Sequence, residues 1–110
     1  MRTSLVLLTL ITTMSCQSSI ENAKTVERKV SGNCGMCKKR IESAGNQSRL
    51  SNVTWDKELK VATIVFDSLK TDESKILELI AKSGYDNEEF VADSVDYNSL
   101  HECCQYDRSK

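Results

Sequence analysis

The sequence contains no proline, few aromatic residues and no excess of either charge. Without proline, any fold that needs a cis-proline is excluded, and an aromatic content of 5% predicts a mainly aliphatic core. The 15 basic and 16 acidic residues leave a net charge of −1. That balance argues against binding nucleic acid by neutralising phosphates and against a polybasic membrane surface. A chain of 110 residues fits one small domain, and its five cysteines stand out.

No apolar run is long enough to span a bilayer, but a short one near the N-terminus predicts a secretory signal. Arg2 is followed by residues 5–11, which are nearly all leucine, valine and isoleucine. The run falls well short of the roughly 18 apolar residues that a membrane span needs. A positive start followed by a short apolar stretch is typical of a signal peptide, here residues 1–15.

The end of this signal resembles a bacterial lipobox, because Thr13-Met14-Ser15 places a small residue directly before Cys16. The resemblance implies that Cys16 is the lipidated first residue of the mature protein. A lipid anchor would then hold the protein on the periplasmic side of the cell envelope, with residues 16–23 as a flexible tether. The alternative is a plain secretory signal, an ordinary cysteine and a secreted protein.

The remaining pattern predicts the element order β-α-β-β-α-β. Ala62, Ile64 and Phe66 alternate with Val61 and Thr63, as in a half-buried strand. The predicted strands cover 24–30, 51–55, 60–66 and part of 85–92; the predicted helices run from Met36 to Gly45 and from the N-cap Thr71 to Gly84. This order is that of a ferredoxin-like α+β sandwich, with a four-stranded antiparallel sheet and both helices on one face. The predicted domain is 24–92, which leaves 93–110 as a tail.

The chemistry centres on Cys34 and Cys37, at the junction between the first strand and the first helix. The two-residue spacer lets both sulfurs point at one atom. The start of a helix offers unpaired N–H groups and the positive end of the dipole, which favour thiolates. Two thiolates select soft ions, and Cu(I) is satisfied by two, whereas structural Zn(II) normally takes four ligands.

The arrangement strand, Gly32-Asn33-Cys34-Gly35-Met36-Cys37, helix, hairpin, helix, Gly84-Tyr85 and strand resembles the heavy-metal-associated domain family. That family includes copper chaperones, periplasmic mercury carriers and modules of metal-transporting ATPases. The resemblance covers residues 24–92 and implies that Cys34 and Cys37 bind the metal. It places Tyr85 beside the site as a shield. The family's methionine, which precedes the first cysteine, is missing, and Met36 lies inside the spacer instead.

Two other interpretations of the motif remain open. Cys34 and Cys37 can form a structural disulfide in an oxidising envelope. The segment also resembles a thioredoxin active site, which would make the protein a thiol-disulfide oxidoreductase. Against that resemblance, Met36 stands in place of the motif's proline, Asn33 in place of its tryptophan, and the fold's cis-proline has no candidate.

The tail contains the only histidine, His101, and two further cysteines, Cys103 and Cys104. These residues are soft or borderline metal ligands, although the side chains of adjacent cysteines diverge in extended chain. The last predicted strand carries the chain about 20 Å from the metal end, and residues 93–102 reach at most about 33–36 Å, so the tail can return. We therefore expect Cys103 or Cys104, with or without His101, to complete the site. The alternatives are a separate site between molecules, or thiols without a metal role.

The expected function is to bind a soft metal ion in the cell envelope and to transfer or sequester it. Cu(I) is the first choice, with Zn(II) and Hg(II) as alternatives. No catalytic arrangement stands out in the sequence, so we expect a carrier rather than an enzyme. The expected partner is a metal-transporting ATPase or another protein with a metal site.

Overall fold

The computed structural model describes residues 20–108. The predicted signal peptide, Cys16 and half of the predicted tether therefore lie outside the described residues. Within that range, no helix combines the length and the apolar character that crossing a membrane requires. The first strand begins at Ala23, one residue earlier than predicted.

The described chain forms an α+β fold, as predicted, with a three-stranded antiparallel sheet. Its elements are β1 (Ala23–Lys29), α1 (Gly35–Gly45), β2 (Ser51–Asp56), β3 (Val61–Asp67), α2 (Glu73–Lys82), α3 (Ser94–Asn98) and a 3-10 helix (Glu102–Cys104). The sheet order is β1-β3-β2, and Ile64 of β3 lies opposite Val26 of β1 and Val53 of β2. This arrangement is compatible with a small ferredoxin-like fold.

The core lies between one face of this sheet and the two longer helices. The predicted alternation of β3 is confirmed, since Ala62, Ile64 and Phe66 are buried, as are Val53 and Trp55 of β2. The helices add buried residues to the same cluster: Cys37 and Ile41 from α1, and Ile76, Leu77 and Ile80 from α2. Helix α1 is thus held in place by the burial of its apolar side chains, because such burial stabilises a helix in a protein more than its intrinsic helix propensity does.

Helix α2 begins one residue later than predicted. The N-cap is Asp72, not Thr71, because the Asp72 carboxylate accepts a hydrogen bond from the Lys75 N–H at 2.9 Å. The predicted stop at Gly84 is confirmed. Gly84 has a φ of 108°, and its N–H donates to the Ala81 carbonyl at 2.9 Å, so the chain leaves the helix through a left-handed residue.

The predicted fourth strand within 85–92 is wrong for the residues described. The segment lies beside the end of β1, but it forms only one bridge, Val30 with Asn87. Beyond that bridge, side chains and not a strand ladder satisfy several of its backbone N–H groups. The Asn87 side-chain oxygen accepts from the N–H groups of Glu89 and Phe90 at 3.1 and 3.0 Å, and the Asp86 carboxylate accepts from that of Ala92 at 2.7 Å. Asp and Asn side chains offer the backbone this alternative to a strand.

The C-terminal segment was predicted as a tail, residues 93–110, that can return to the cysteine pair, and its described part, 93–108, packs against the core. Leu100, Cys104 and Tyr106 are buried and belong to the same apolar cluster as the sheet and helices. The described part of this segment therefore shares the core of residues 24–92.

The two glycines at the ends of α1 supply a test of this packing. A methyl group at Gly45 would overlap the Val53 side chain, whereas one at Gly35 has nothing within 4 Å. We expect Gly45→Ala to lower the free energy of unfolding by about 1–3 kcal/mol through overpacking. The matched control Gly35→Ala should leave it unchanged or raise it by up to about 1 kcal/mol. Urea denaturation measures both, and equal effects of the two changes would contradict the packing described.

Candidate metal centre

Cys34 and Cys37 lie at the first turn of α1, as predicted. Cys34 is the N-cap residue and is half-buried, while Cys37 is fully buried in the core. Their sulfur atoms are 3.7 Å apart, and both are free thiols. The preceding loop lies close to the Trp55 ring, because a methyl group at Gly32 would come within 2.8 Å of that ring.

The start of the helix acts on the Cys34 thiol. Cys34 makes no regular capping hydrogen bond through its side chain. Even so, the N–H group of Cys37, and after it that of Met36, lowers the pKa of Cys34 to about 6, against the opposite effect of burial. This direction is the one expected at the positive end of a helix dipole. The Cys34 sulfur is therefore mostly a thiolate at neutral pH.

The C-terminal segment brings a third sulfur to this pair. The Cys104 side chain is fully buried, and its sulfur lies 4.0 Å from that of Cys34. The sulfur atoms of Cys34, Cys37 and Cys104 all lie within 4.8 Å of one another. Burial, and then the neighbouring Cys37 thiol, raises the pKa of Cys104 to about 12. The three residues form what we call the inner triangle.

Cys103 lies next to this triangle on its solvent side. Its sulfur is 3.7 Å from that of Cys34, 4.0 Å from that of Cys104 and 3.9 Å from the thioether of Met36. Adjacent cysteines diverge in extended chain, but here the 3-10 helix turns both sulfurs toward Cys34. Hydrogen bonding with Cys34, together with partial burial, raises the pKa of Cys103.

The predicted ligand His101 is not brought into the group. It is the exposed residue that precedes the 3-10 helix, and it is not among the mutually close ligand atoms of the inner triangle in the described chain. Its carbonyl oxygen accepts the Cys104 N–H at 2.8 Å, so its backbone helps to place that cysteine.

Tyr85 is fully buried, with its hydroxyl beside the Cys104 and Cys37 thiols. Burial raises the pKa of Tyr85 far above its usual range, and these two thiols add to the effect. No hydrogen bond of regular geometry reaches the hydroxyl from residues 20–108. A buried donor of this kind is suited to a thiolate acceptor, and its interaction lowers the pKa of Cys104 against the larger effect of burial.

The segment that carries Cys104 is anchored by residues the sequence did not single out. The Tyr106 hydroxyl accepts from the Asp86 N–H at 2.7 Å and donates to the Gly84 carbonyl at 2.8 Å. Arg108 makes two contacts of 2.9 Å with the Asp86 carboxylate, and a third of 2.8 Å with the Ala92 carbonyl. The sequence signal that could have revealed this anchor is the spacing of Leu100, Cys104 and Tyr106 in an otherwise polar stretch.

Comparisons with known proteins assign no family to this chain. No protein family, no curated protein and no solved structure matches it. What the sulfur cluster does is therefore inferred from the chemistry of its own residues.

The difference between Cys34 and Cys103 supplies a test of the site's electrostatics. Because only the thiolate is alkylated, the rate at Cys34 should rise through a midpoint near pH 6 and then level off. The rate at Cys103 should still be rising above about pH 8.5, the pKa of an ordinary cysteine, since its pKa is raised. Iodoacetamide labelling of the reduced, metal-free protein, read by peptide mass spectrometry, measures both. A Cys34 midpoint at or above that of Cys103 would contradict the assignment.

Proposed function

We propose that this protein binds a soft metal ion, Cu(I) in first place, through the thiolates of Cys34, Cys37 and Cys104. The observation that carries the proposal is the inner triangle, which joins the predicted pair at the start of α1 with a buried cysteine from the C-terminal segment. Three converging thiols in one partly buried place favour thiophilic ions over hard cations such as Mg²⁺ or Ca²⁺.

The sulfur spacing supports a three-coordinate site. With metal–sulfur bonds of about 2.3 Å, the length found in zinc thiolate sites, a trigonal site has its sulfurs about 4.0 Å apart and a linear site about 4.6 Å apart. The sulfurs of Cys34 lie 3.7 and 4.0 Å from those of Cys37 and Cys104. The pair alone is therefore too close for a linear ion, and the third sulfur fits a trigonal one.

The number of ligands bears on the choice of ion. Structural Zn(II) sites normally close at four ligands, whereas the inner triangle supplies three, and both Cys103 and His101 lie outside that group. Cu(I) accepts a purely sulfur environment of low coordination number, which the inner triangle supplies. Hg(II) and Zn(II) remain alternatives that the same thiolates would bind.

Metal binding must displace the protons that the thiols still hold. Cys34 is mostly ionised at neutral pH, whereas the Cys104 thiol, with its pKa raised to about 12, keeps its proton until a metal replaces it. Affinity should therefore fall as the pH falls. The unpartnered Tyr85 hydroxyl would donate to the Cys104 thiolate formed in this exchange.

The wider proposal follows the sequence resemblance. An α+β fold with Cys34 and Cys37 at a strand-to-helix junction is in keeping with a heavy-metal-associated, ferredoxin-like domain. In this proposal the protein is a carrier rather than an enzyme, held at the cell envelope through Cys16. It would exchange its metal with a metal-transporting ATPase or another protein that carries a thiolate site.

A second candidate, a thiol-disulfide oxidoreductase, is favoured by one observation. Cys34 is a partly exposed thiol of low pKa, and the buried Cys37 thiol lies 3.7 Å away as a resolving partner. Cys103 and Cys104, at 3.7 and 4.0 Å from Cys34, offer that sulfur two further partners, which suits metal binding better than a single reversible disulfide.

Titration with Cu(I) against a chromogenic chelator tests the proposal. The reduced full chain with Cys16→Ser leaves the four described cysteines as the only thiols and should compete for a first equivalent of Cu(I). Cys34→Ser and Cys104→Ser should each weaken this binding by more than the roughly 10–100-fold typical of a residue that only supports a ligand. Zn(II), titrated in parallel, should compete less well.

His101→Ala is the matched control, since it changes a metal-binding side chain in the same segment but outside the inner triangle. It should leave the affinity unchanged. An unchanged affinity in Cys104→Ser would contradict the three-sulfur site. Failure of the parent chain to compete for either ion would favour the oxidoreductase, which a reversible Cys34–Cys37 disulfide with catalysis of disulfide reduction would then establish.

A further inference from the structure

Cys103 makes a second sulfur triangle that shares an edge with the first. Its sulfur lies 3.7 Å from Cys34 and 4.0 Å from Cys104, and those two are 4.0 Å apart. We call Cys34, Cys103 and Cys104 the outer triangle. Its three separations match the roughly 4.0 Å of a trigonal thiolate site, so its spacing also suits a three-coordinate ion.

The two triangles differ in their access to solvent. Cys37, the member found only in the inner triangle, has 0% of its surface exposed. Cys103, the member found only in the outer triangle, is exposed, and so is the neighbouring Met36, at 43%. An ion or a partner protein arriving from solvent would therefore meet Cys103 and Met36 before Cys37.

The backbone of Cys103 is held over the loop that carries the motif. The Asn33 side-chain amide donates to the Cys103 carbonyl at 3.5 Å, and the Cys34 sulfur lies 3.6 Å from the same oxygen. These contacts fix the 3-10 helix against the start of α1. The outer triangle is thus built from two parts of the chain that touch each other directly, rather than from a freely moving tail.

We propose that the outer triangle is the loading and release site of this protein, through which Cu(I) passes to and from the inner triangle. The inference rests on the proposed function, because it assigns a path to the same metal. Met36 extends the path outward, since its thioether lies 3.9 Å from the Cys103 sulfur. A thioether is a soft ligand, so Met36 beside the outer triangle suits Cu(I), the softer ion, better than Zn(II).

Passage between the two triangles requires the exchange of one ligand. Cu(I) stays bound to Cys34 and Cys104 while its bond to the Cys103 sulfur breaks and a bond to the Cys37 sulfur forms. The proton released as Cys37 binds copper is taken up, through water, by the Cys103 thiolate that has left the metal. Copper remains Cu(I), no electron moves, and the number of bound protons is unchanged.

The test compares equilibrium with kinetics in the full chain carrying Cys16→Ser. Cu(I) is supplied from, and withdrawn by, a chromogenic chelator, and the rates of uptake and release are followed by absorbance. Cys103→Ser should slow both rates by about tenfold or more and leave the dissociation constant within about threefold, since a path that is removed affects both directions equally. Met36→Leu should slow them in the same direction but less.

Cys37→Ser is the matched control because it removes the other unshared sulfur. It should still bind Cu(I) through the outer triangle, more weakly than the parent and with faster release. Rates unchanged in Cys103→Ser would overturn the loading site, as would an affinity loss equal to that of Cys104→Ser, which would make Cys103 a ligand of the final site. A parent chain that binds no Cu(I) would overturn the proposed function itself. That result is distinct from both outcomes for Cys103→Ser.

Discussion

The site depends on the docking of the C-terminal segment against the end of α2. Tyr106 bridges the backbone at Gly84 and Asp86, its ring packs against those of Tyr85 and Tyr97, and Arg108 pairs with the Asp86 carboxylate. These contacts replace the missing fourth strand as the feature that closes this side of the fold. Because they fix residues 100–106, they place the Cys104 sulfur where the start of α1 already holds two others.

This placement gives the site properties that an exposed pair of cysteines lacks. Two sulfurs of the inner triangle are fully buried, so a metal held there is shielded from competing ligands. Buried thiolates are unfavourable unless a cation or a donor stabilises them. The N-terminus of α1 supplies N–H donors to Cys34, and the Tyr85 hydroxyl faces Cys104. The bound ion would supply the positive charge that stabilises the buried thiolates. In the metal-free protein the Cys104 thiol, whose pKa is raised to about 12, keeps its proton at neutral pH.

Much of the frame was predictable from local pattern, whereas the closure of the site was not. The alternation of apolar and polar residues predicts the alternate burial along β3, and the spacing of apolar residues predicts the helix after Cys34. The end of α2 follows from Gly84, which adopts a left-handed backbone conformation. The prediction of a fourth strand was wrong because the side chains of Asp86 and Asn87 accept hydrogen bonds from nearby backbone N–H groups. A prediction based on the pattern of apolar residues does not take such bonds into account. The number of residues in the tail showed that it could reach the Cys34–Cys37 pair. A contour length, however, gives only the greatest distance that a segment can span and not the direction in which it runs. Contour length therefore could not predict that Cys104 is buried at the site while His101 stays exposed.

The central claim is that a cysteine from the C-terminal segment joins the Cys34–Cys37 pair around one ion. X-ray absorption spectroscopy of the chain loaded with one equivalent of Cu(I) tests it most directly, because the method counts the sulfur atoms bound to copper. We expect three sulfurs in the parent and two in Cys104→Ser. Two sulfurs in both, with an unchanged spectrum, would show that the segment packs beside the metal without binding it and would contradict the account.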